Sequence, residues 1–327
     1  MKGAAVALLA LLLAACAPRI QAPGPMIADP EISETEFRTA DGAVLPLRSW
    51  PAAGAEKAVV LALHGFNDYS NAFADVGDYL AGRGITVHAY DQRGFSDTAH
   101  RGLWPGHGTL AADLKSAADR LRARHKDVPF HLLGESMGGA VVMVAMTGPE
   151  PPDADGVILV APAVWGRATM PWYQRAALFV ASHTLPWLKL TGEGLNIRAS
   201  DNDEMLRALG HDPLFIKETR IDAMHGITDL MDAALESAPR LNGRALVLYG
   251  EKDEIIPREP TFAMLAGLPG RADGTQRIAL YENGFHMLMR DLQAETVWRD
   301  LAAWILDADA PLPSGAEKRA AKQLVGP

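Results

Sequence analysis

The sequence has a single cysteine, Cys16, among 327 residues, so an intramolecular disulfide is excluded. It contains no HExxH or CxxC pattern, and no glycine-rich phosphate loop convincingly precedes a helix. No metal and no organic cofactor are therefore expected. Basic residues are also few, since 31 lysines and arginines stand against 40 aspartates and glutamates. The net charge of −9, without a basic stripe, argues against a nucleic-acid partner.

The N-terminal apolar run, residues 4–15, is too short to span a bilayer. It follows the short positive start Met1-Lys2-Gly3, a pattern typical of a signal peptide over residues 1–15. The run ends in "LAAC", which resembles the bacterial lipobox. That resemblance implies that Cys16 is diacylated and becomes the mature N-terminus. The alternatives are an ordinary secretory signal with an incidental cysteine, or an internal start.

The residues after Cys16 predict a tether and a location. Ala17, rather than an aspartate, follows the cysteine. By resemblance to Gram-negative sorting, this implies a bacterial cell-envelope protein that is lipid-anchored in the outer membrane and faces the periplasm. Acyl chains, at about 0.8 kcal/mol per buried CH₂, would hold the protein on the membrane. Residues 16–35 are proline-rich and predict a semi-extended tether, whereas residues 310–327 predict a tail outside the core.

Between these termini, short apolar runs alternate with helical patterns. The predicted strands are 58–64, 85–90, 129–133, 156–160, 245–249 and 277–281, after an opening hairpin over 36–50. The predicted helices include one capped by Thr109, one that begins just after Ser136, and stretches over 222–237 and 296–306. Strands that alternate with helices predict an α/β fold with a doubly wound, mostly parallel sheet.

Residues 164–221 interrupt this alternation with about sixty residues that contain no good strand. Helices are predicted over 171–181 and 201–209, the second one closed by Gly210. We interpret this stretch as an inserted helical cap, so that residues 36–163 and 222–309 form the core. The cap is rich in large apolar side chains, namely Trp165, Trp172, Tyr173, Phe179, Trp187 and Leu188. We expect most of them to form a small core of the cap, and some to line an acyl tunnel or to enter a membrane.

A candidate nucleophile lies between a predicted strand and a predicted helix. Residues 134–138 read "GESMG", a G-x-S-x-G pattern. A sharp strand-to-helix turn would strain the backbone at Ser136, and the residues two positions away must be glycines to avoid collision. The hydroxyl then stands at the C-terminal edge of the sheet, where the helix N-terminus can stabilise an oxyanion. The pentapeptide alone is weak evidence, but its context strengthens it.

Serine needs a base, and the base needs an orienting acid. Asp253 follows the strand 245–249 and is the better acid candidate, although Glu251 and Glu254 are rivals on the same loop. His286 follows the strand 277–281. If the sheet is parallel, all of these loops converge at the edge that carries Ser136.

Two further segments are candidates for supporting roles. The oxyanion hole needs two backbone N–H donors, for which we predict Met137 and Phe66. His64 is then expected to brace its loop rather than to act as a second base. Arg93, in "DQRGFSD", is expected to be structural, with phosphate recognition as the alternative.

The motifs "LHGF", "DQRGFSD", "GESMGGA", "GEKDEIIP" and "NGFH" appear in the order typical of the α/β-hydrolase fold. The set resembles the monoacylglycerol lipase and lysophospholipase branch, which is grouped with serine aminopeptidase S33-type hydrolases. The resemblance implies Ser136 as nucleophile, Asp253 as acid, His286 as base, and Phe66 and Met137 as oxyanion-hole residues. Many members of that branch carry His where Glu135 stands, which is a departure that could alter the pH dependence.

The expected function is therefore that of a serine hydrolase that cleaves carboxylic esters through an acyl-enzyme. The expected substrates are monoacylglycerols or lysophospholipids, reached from a membrane to which a lipid at Cys16 anchors the protein. The alternatives are a peptidase or small-ester hydrolase of the same fold, and a non-catalytic lipoprotein that binds apolar ligands.

Overall fold

The computed structural model describes residues 17–192 and 194–324, so Cys16 and the predicted signal peptide lie outside the described residues. The strands are β1 (Glu31–Ile32), β2 (Glu36–Arg38), β3 (Val44–Trp50), β4 (Ala58–Leu63), β5 (Ile85–Tyr90), β6 (Phe130–Glu135), β7 (Gly156–Val160), β8 (Lys189–Thr191), β9 (Glu218–Arg220), β10 (Ala245–Gly250) and β11 (Gln276–Tyr281). The helices are α1 (Ala74–Ala81), α2 (His107–Arg124), α3 (Met137–Met146), α4 (Trp172–Thr184), α5 (Asp203–His211), α6 (Ile221–Ser237), α7 (Arg258–Gly267), α8 (Ala294–Leu306) and α9 (Ala316–Leu324).

Nine of these strands form one sheet, in the order β1-β2-β3-β5-β4-β6-β7-β10-β11. The strands from β5 to β11 in this order are parallel, while β1, β2 and β3 pair antiparallel at one side. The six predicted core strands and the opening hairpin are confirmed to within two residues. The predicted doubly wound, mostly parallel α/β sheet is likewise confirmed.

The central strands are largely apolar because both faces of the sheet are covered. Every residue of β4, β6 and β10 is buried. One apolar cluster joins one face of the sheet to α2, α3 and α6, and a second joins the other face to α1 and α8. The continuous Val, Leu and Ala runs of these strands are the pattern that two-sided burial requires.

The cap differs from its prediction in three ways. It contains strands as well as α4 and α5, because β8 and β9 pair antiparallel through Lys189–Arg220, Leu190–Thr219 and Thr191–Glu218. Helix α5 runs through Gly210 to His211, so the predicted closure at Gly210 is wrong. The large apolar side chains do not form a core of the cap, since Trp172 is 73% exposed, Phe179 61% and Trp187 51%.

The helix predicted to start at a Thr109 cap begins earlier. Helix α2 starts at His107, and its N-cap position is Gly106, whose φ of +84° favours glycine. The helix is therefore preceded by a glycine that tolerates this φ, and the Thr109 hydroxyl does not cap it.

The tail was expected to lie outside the core, and this expectation is wrong. Helix α9 packs against β11, with Ala316 and Ala320 buried against the two apolar clusters. Arg277 of β11 forms an ion pair with Glu317 of the helix, at 2.6 Å between Nε and Oε1. No helix among the described residues is both long and apolar enough to cross a membrane.

Candidate active site

Ser136 occupies a sharp turn between β6 and α3. Its φ of +53° and ψ of −114° lie in a region that residues with a side chain rarely adopt. Two backbone contacts hold it there: its N–H donates to Val160 O at 2.9 Å, and its carbonyl oxygen accepts from Ala163 N at 2.9 Å. The strained turn that the sequence predicts at Ser136 is therefore present.

The two glycines of the G-x-S-x-G pattern lie where the backbone is most crowded. A Cβ atom at Gly134 would overlap the backbone of Gly138, and one at Gly138 would overlap the carbonyl group of Leu63 on β4. These neighbours are backbone atoms of packed elements, so they cannot yield as a flexible side chain would. The spacing of glycines around Ser136 is thus a steric requirement of the turn.

His286 and Asp253 form a buried pair at the C-terminal ends of β11 and β10. His286 Nδ1 lies 2.8 Å from Asp253 Oδ2. The other carboxylate oxygen, Oδ1, accepts hydrogen bonds from the N–H groups of Ile255 at 2.8 Å and Ile256 at 2.9 Å. These contacts fix the carboxylate, which in turn holds Nδ1 of the ring, and among the described residues no hydrogen bond joins His286 Nε2 to Ser136.

The electrostatic environment favours a basic imidazole. Burial is the largest influence on the pKa of His286 and lowers it, as does the charge of Arg290. The charge of Asp253, the hydrogen bond to it and the Glu135 carboxylate together raise the pKa above its usual value. The imidazole is therefore within electrostatic reach of the residue that precedes Ser136.

The rival acids face other partners. Glu251 Oε2 lies 3.2 Å from Arg319 Nη1, on the side of α9. Glu254 Oε2 accepts a hydrogen bond from the Arg198 N–H at 2.7 Å. Within the described part of the chain, Asp253 is the one of the three predicted acids that contacts His286.

The predicted oxyanion-hole residues carry free backbone donors. Among the described residues, neither the Phe66 N–H nor the Met137 N–H donates a hydrogen bond. Met137 is the first residue of α3, so its N–H also carries the positive end of the helix dipole. Phe66 follows Gly65, where an added Cβ would lie 3.4 Å from Ser136 Cβ. Both amides thus lie on segments next to Ser136.

His64 braces its loop, as predicted. Its Nε2 accepts a hydrogen bond from the Gln92 N–H at 2.9 Å, and its Nδ1 lies 2.8 Å from Gly65 O. Burial lowers the pKa of His64. Because Nε2 accepts a hydrogen bond from a backbone N–H, the ring proton lies on Nδ1, which faces the Gly65 carbonyl oxygen. Nδ1 is engaged by the loop of His64 and Nε2 by the loop after β5, which leaves neither nitrogen for a second base.

Arg93 is held in an ion-pair network. Its Nε lies 2.5 Å from Asp113 Oδ2, and its Nη2 lies 2.6 Å from Asp41 Oδ1. All three side chains are largely buried. The guanidinium joins the opening hairpin to α2, which agrees with the predicted structural role and leaves no group facing a phosphate.

A buried charged group beside the site was missed from the sequence. Arg290 Nη2 lies 2.6 Å from Asp68 Oδ2 and 3.5 Å from Glu135 Oε2. Neither Glu135 oxygen has a hydrogen-bond partner among the described residues. Burial raises the pKa of Glu135, and the nearby Arg290 opposes this. No local pattern could have joined Asp68 to Arg290, because 222 positions separate them.

The chain is similar to known hydrolases over most of its length. The family described as "Serine aminopeptidase, S33" matches residues 54–293. Human monoglyceride lipase is 26% identical over 273 residues, which cover 81% of this chain and 88% of the human protein. The crystal structure of a soluble variant of monoglyceride lipase from Saccharomyces cerevisiae, in complex with a substrate analog, is 21% identical with a TM-score of 0.69, and the match covers 86% and 98% of the two chains. Paleococcus ferrophilus monoacylglycerol lipase is 22% identical with a TM-score of 0.64, over 80% and 98%.

Proposed function

Because this chain belongs to the serine aminopeptidase S33 family and is an ester hydrolase of the α/β-hydrolase fold, we propose that it cleaves monoacylglycerols through an acyl-enzyme on Ser136. The observation that carries the proposal is the His286–Asp253 pair, held at 2.8 Å at the sheet edge where the strained turn presents Ser136.

In the proposed first step, Ser136 Oγ attacks the ester carbonyl carbon and His286 Nε2 takes the hydroxyl proton. Asp253 keeps the imidazole oriented and stabilises its charged form. The negative oxygen of the tetrahedral intermediate accepts from the free N–H groups of Phe66 and Met137, each worth about 3 kcal/mol of transition-state stabilisation. The C–O bond then breaks, glycerol leaves with the proton from His286, and the acyl group stays on Ser136.

In the second step, water replaces glycerol. His286 takes a proton from the water as the oxygen attacks the acyl carbonyl, and the same two N–H groups stabilise the new oxyanion. The C–O bond to Ser136 breaks, the serine recovers its proton from His286, and a fatty acid is released. Atoms and charges balance without a further co-reactant.

The cap supports a preference for a long acyl chain, and the relatives support a monoacylglycerol as the substrate. The apolar residues on α4 and on the segment that follows it are exposed rather than packed in the cap. Relatives that match over this length of chain include the mouse and human monoglyceride lipases. A lysophospholipid has the same apolar part and differs in its headgroup, so it is the substrate against which the proposal must be compared.

Attachment to a membrane through Cys16 is part of the proposal, and the chain next to Cys16 supports it. The Arg19 N–H lies 3.4 Å from Asp222 Oδ2, and the Asp222 N–H donates to Pro186 O at 3.1 Å. Trp187, which follows, is about half exposed. At most about 10 Å of chain separates Cys16 from Arg19, so an acylated Cys16 would bring the bilayer close to the part of the cap that carries Trp187. By the resemblance to Gram-negative sorting, the proposed location is the periplasmic face of the outer membrane.

Metabolic labelling with a fatty-acid analogue tests the anchor. The full chain should incorporate the label and fractionate with outer membranes, whereas Cys16→Ser should not incorporate it. A wild-type chain that carries no label would refute the anchor without affecting the proposed chemistry.

Labelling with a fluorophosphonate probe tests the nucleophile. The wild-type protein should be labelled, and labelling should disappear in Ser136→Ala. An unlabelled wild-type protein would favour the alternative of a non-catalytic protein that binds apolar ligands.

A substrate panel tests the specificity for the headgroup and for the length of the acyl chain. The untethered protein should hydrolyse a long-chain monoacylglycerol faster than a short-chain ester, a lysophospholipid or an aminoacyl ester. A higher kcat/KM for the lysophospholipid would transfer the assignment to that substrate. Preference for the aminoacyl ester would instead favour a peptidase, and equal rates on short and long chains would refute a role of the cap in acyl-chain recognition.

A further inference from the structure

The loop that carries His286 is held by a segment of the cap, residues 198–202, here called the bracing segment. The N–H of Met287, directly after His286, donates to Ala199 O at 2.9 Å. The Asn202 side chain donates to Arg290 O at 3.1 Å, on the same loop. Backbone and side-chain contacts thus join the bracing segment to the loop after His286.

A buried carboxylate extends this contact to the residue before His286. Asp291 Oδ2 accepts from the Phe285 N–H at 2.7 Å, and its other oxygen, Oδ1, accepts from Ser200 Oγ at 2.6 Å. Ser200 is fully buried and Asp291 is nearly so. Hydrogen bonds to an ionised acceptor are strong, and at a buried site water does not compete for them. Ser200 thus orients the carboxylate that holds the Phe285 amide.

The same segment reaches the acid loop and a cap helix. The Arg198 N–H donates to Glu254, the residue after Asp253, at 2.7 Å. At its other end, Asn202 caps α5, where its side-chain oxygen accepts from the Met205 N–H at 3.1 Å. The bracing segment therefore contacts both loops of the His286–Asp253 pair and is continuous with the cap.

We propose that Ser200 and Asp291 are positioning residues for His286, through which the cap holds the imidazole in its reactive place. This rests on the proposed function, since it assumes that His286 is the base. A general base must lie within hydrogen-bond reach of the proton that it takes, and a displacement of about 1 Å can reduce the rate about 100-fold. Without the Ser200 hydroxyl, Asp291 loses a donor that fixes its orientation, and the Phe285–His286 backbone is less constrained.

The test compares Ser200→Ala with a matched control, Ser182→Ala. Ser182 is also fully buried in the cap, but its hydroxyl donates to Phe179 O at 3.1 Å within its own helix. The measurements are the fluorophosphonate labelling rate of Ser136, kcat and KM on a short-chain ester, and the thermal unfolding midpoint. A short ester is used because it makes little demand on the cap for binding.

For Ser200→Ala, we expect kcat and the labelling rate to fall about tenfold with KM nearly unchanged, a smaller loss than the limit for a 1 Å displacement. Ser200→Thr, which keeps the hydroxyl, should recover most of the rate. Ser182→Ala should keep the wild-type rate even if it lowers the unfolding midpoint as much as Ser200→Ala does. If Ser200→Ala does not fold, Asp291→Asn, which keeps the shape but loses an acceptor, should show the same loss of kcat.

Two results would overturn the positioning role: wild-type labelling in Ser200→Ala, or in Asp291→Asn where that variant replaces it, and an equal loss of rate in Ser182→Ala. Both are read against a labelled wild-type protein. A wild-type protein that is not labelled refutes the proposed function itself, so the two failures are distinguishable.

Discussion

The strained backbone at Ser136 makes the choice of replacement residue decisive for stability. We expect Ser136→Gly to unfold at a higher temperature than Ser136→Ala, although both variants lose hydrolysis. A residue with a side chain held in such a region costs about 1–3 kcal/mol, and alanine retains the Cβ atom that causes this cost. Glycine removes this cost, but it gives the unfolded chain more conformational freedom, which lowers the free energy of unfolding by about 0.4–1 kcal/mol. With the middle of both ranges, about 2 and about 0.7 kcal/mol, the expected difference is about 1.3 kcal/mol in favour of glycine.

Thermal unfolding of the two variants, followed by circular dichroism, measures this difference. At roughly 2 °C per kcal/mol for a chain of this size, glycine should raise the midpoint by about 3 °C over alanine. Ser182 is a control of opposite sign, because it lies inside a helix, where alanine should be more stable than glycine by about 1 kcal/mol. A midpoint for Ser136→Gly at or below that of Ser136→Ala would show that the turn is not strained and would refute the reasoning.

Three further expectations concern the site. Asp253→Asn should lower kcat by about 10³–10⁴-fold with little change in the unfolding midpoint; full activity would exclude this acid. Gly138→Ala should lower the free energy of unfolding, measured in urea, by about 1–3 kcal/mol, because the added Cβ atom meets the Leu63 carbonyl group. Its control is Gly108→Ala, in open space on α2, which should raise the free energy of unfolding by up to about 1 kcal/mol. Glu135→Gln should lower the pKa of His286 and so extend kcat/KM to lower pH, because the neutral base persists further into acid; an unmoved acid limb would show that Glu135 does not act on the imidazole.

The core could be predicted from the sequence because burial on both faces imposes a local pattern. Residues 58–63 and 245–249 are apolar at every position, and they form β4 and most of β10. The glycines around Ser136 are also a local requirement, since the turn fails with larger residues at those positions. Ser136, Asp253 and His286 could be predicted to lie at one edge of the sheet, because each of them follows its own strand.

What could not be predicted depends on contacts between distant residues. Glu251, Asp253 and Glu254 share one loop, and only the packing of α9 and the bracing segment assigns the first and the last to other partners. Strands β8 and β9 are three residues each and mostly exposed, so they carry no burial pattern.

The exposed cap residues illustrate a different limit. Trp172 and Phe179 are residue types that usually lie in a hydrophobic core, but the sequence alone does not indicate whether another element covers them. Helix α9 shows the converse, because it packs through alanines at positions 316 and 320. Alanine spacing after two prolines and a glycine gave little sign of a buried face.

Helix α9 also protects the molecule from self-association. Strand β11 ends the sheet on one side, and an outermost strand is a template onto which a second chain can add by backbone pairing. The helix lies against that strand and is fastened to it through Arg277 and Glu317. Truncation near residue 310 would therefore expose the unpaired edge of β11, and the shortened protein should aggregate even if its active site is intact.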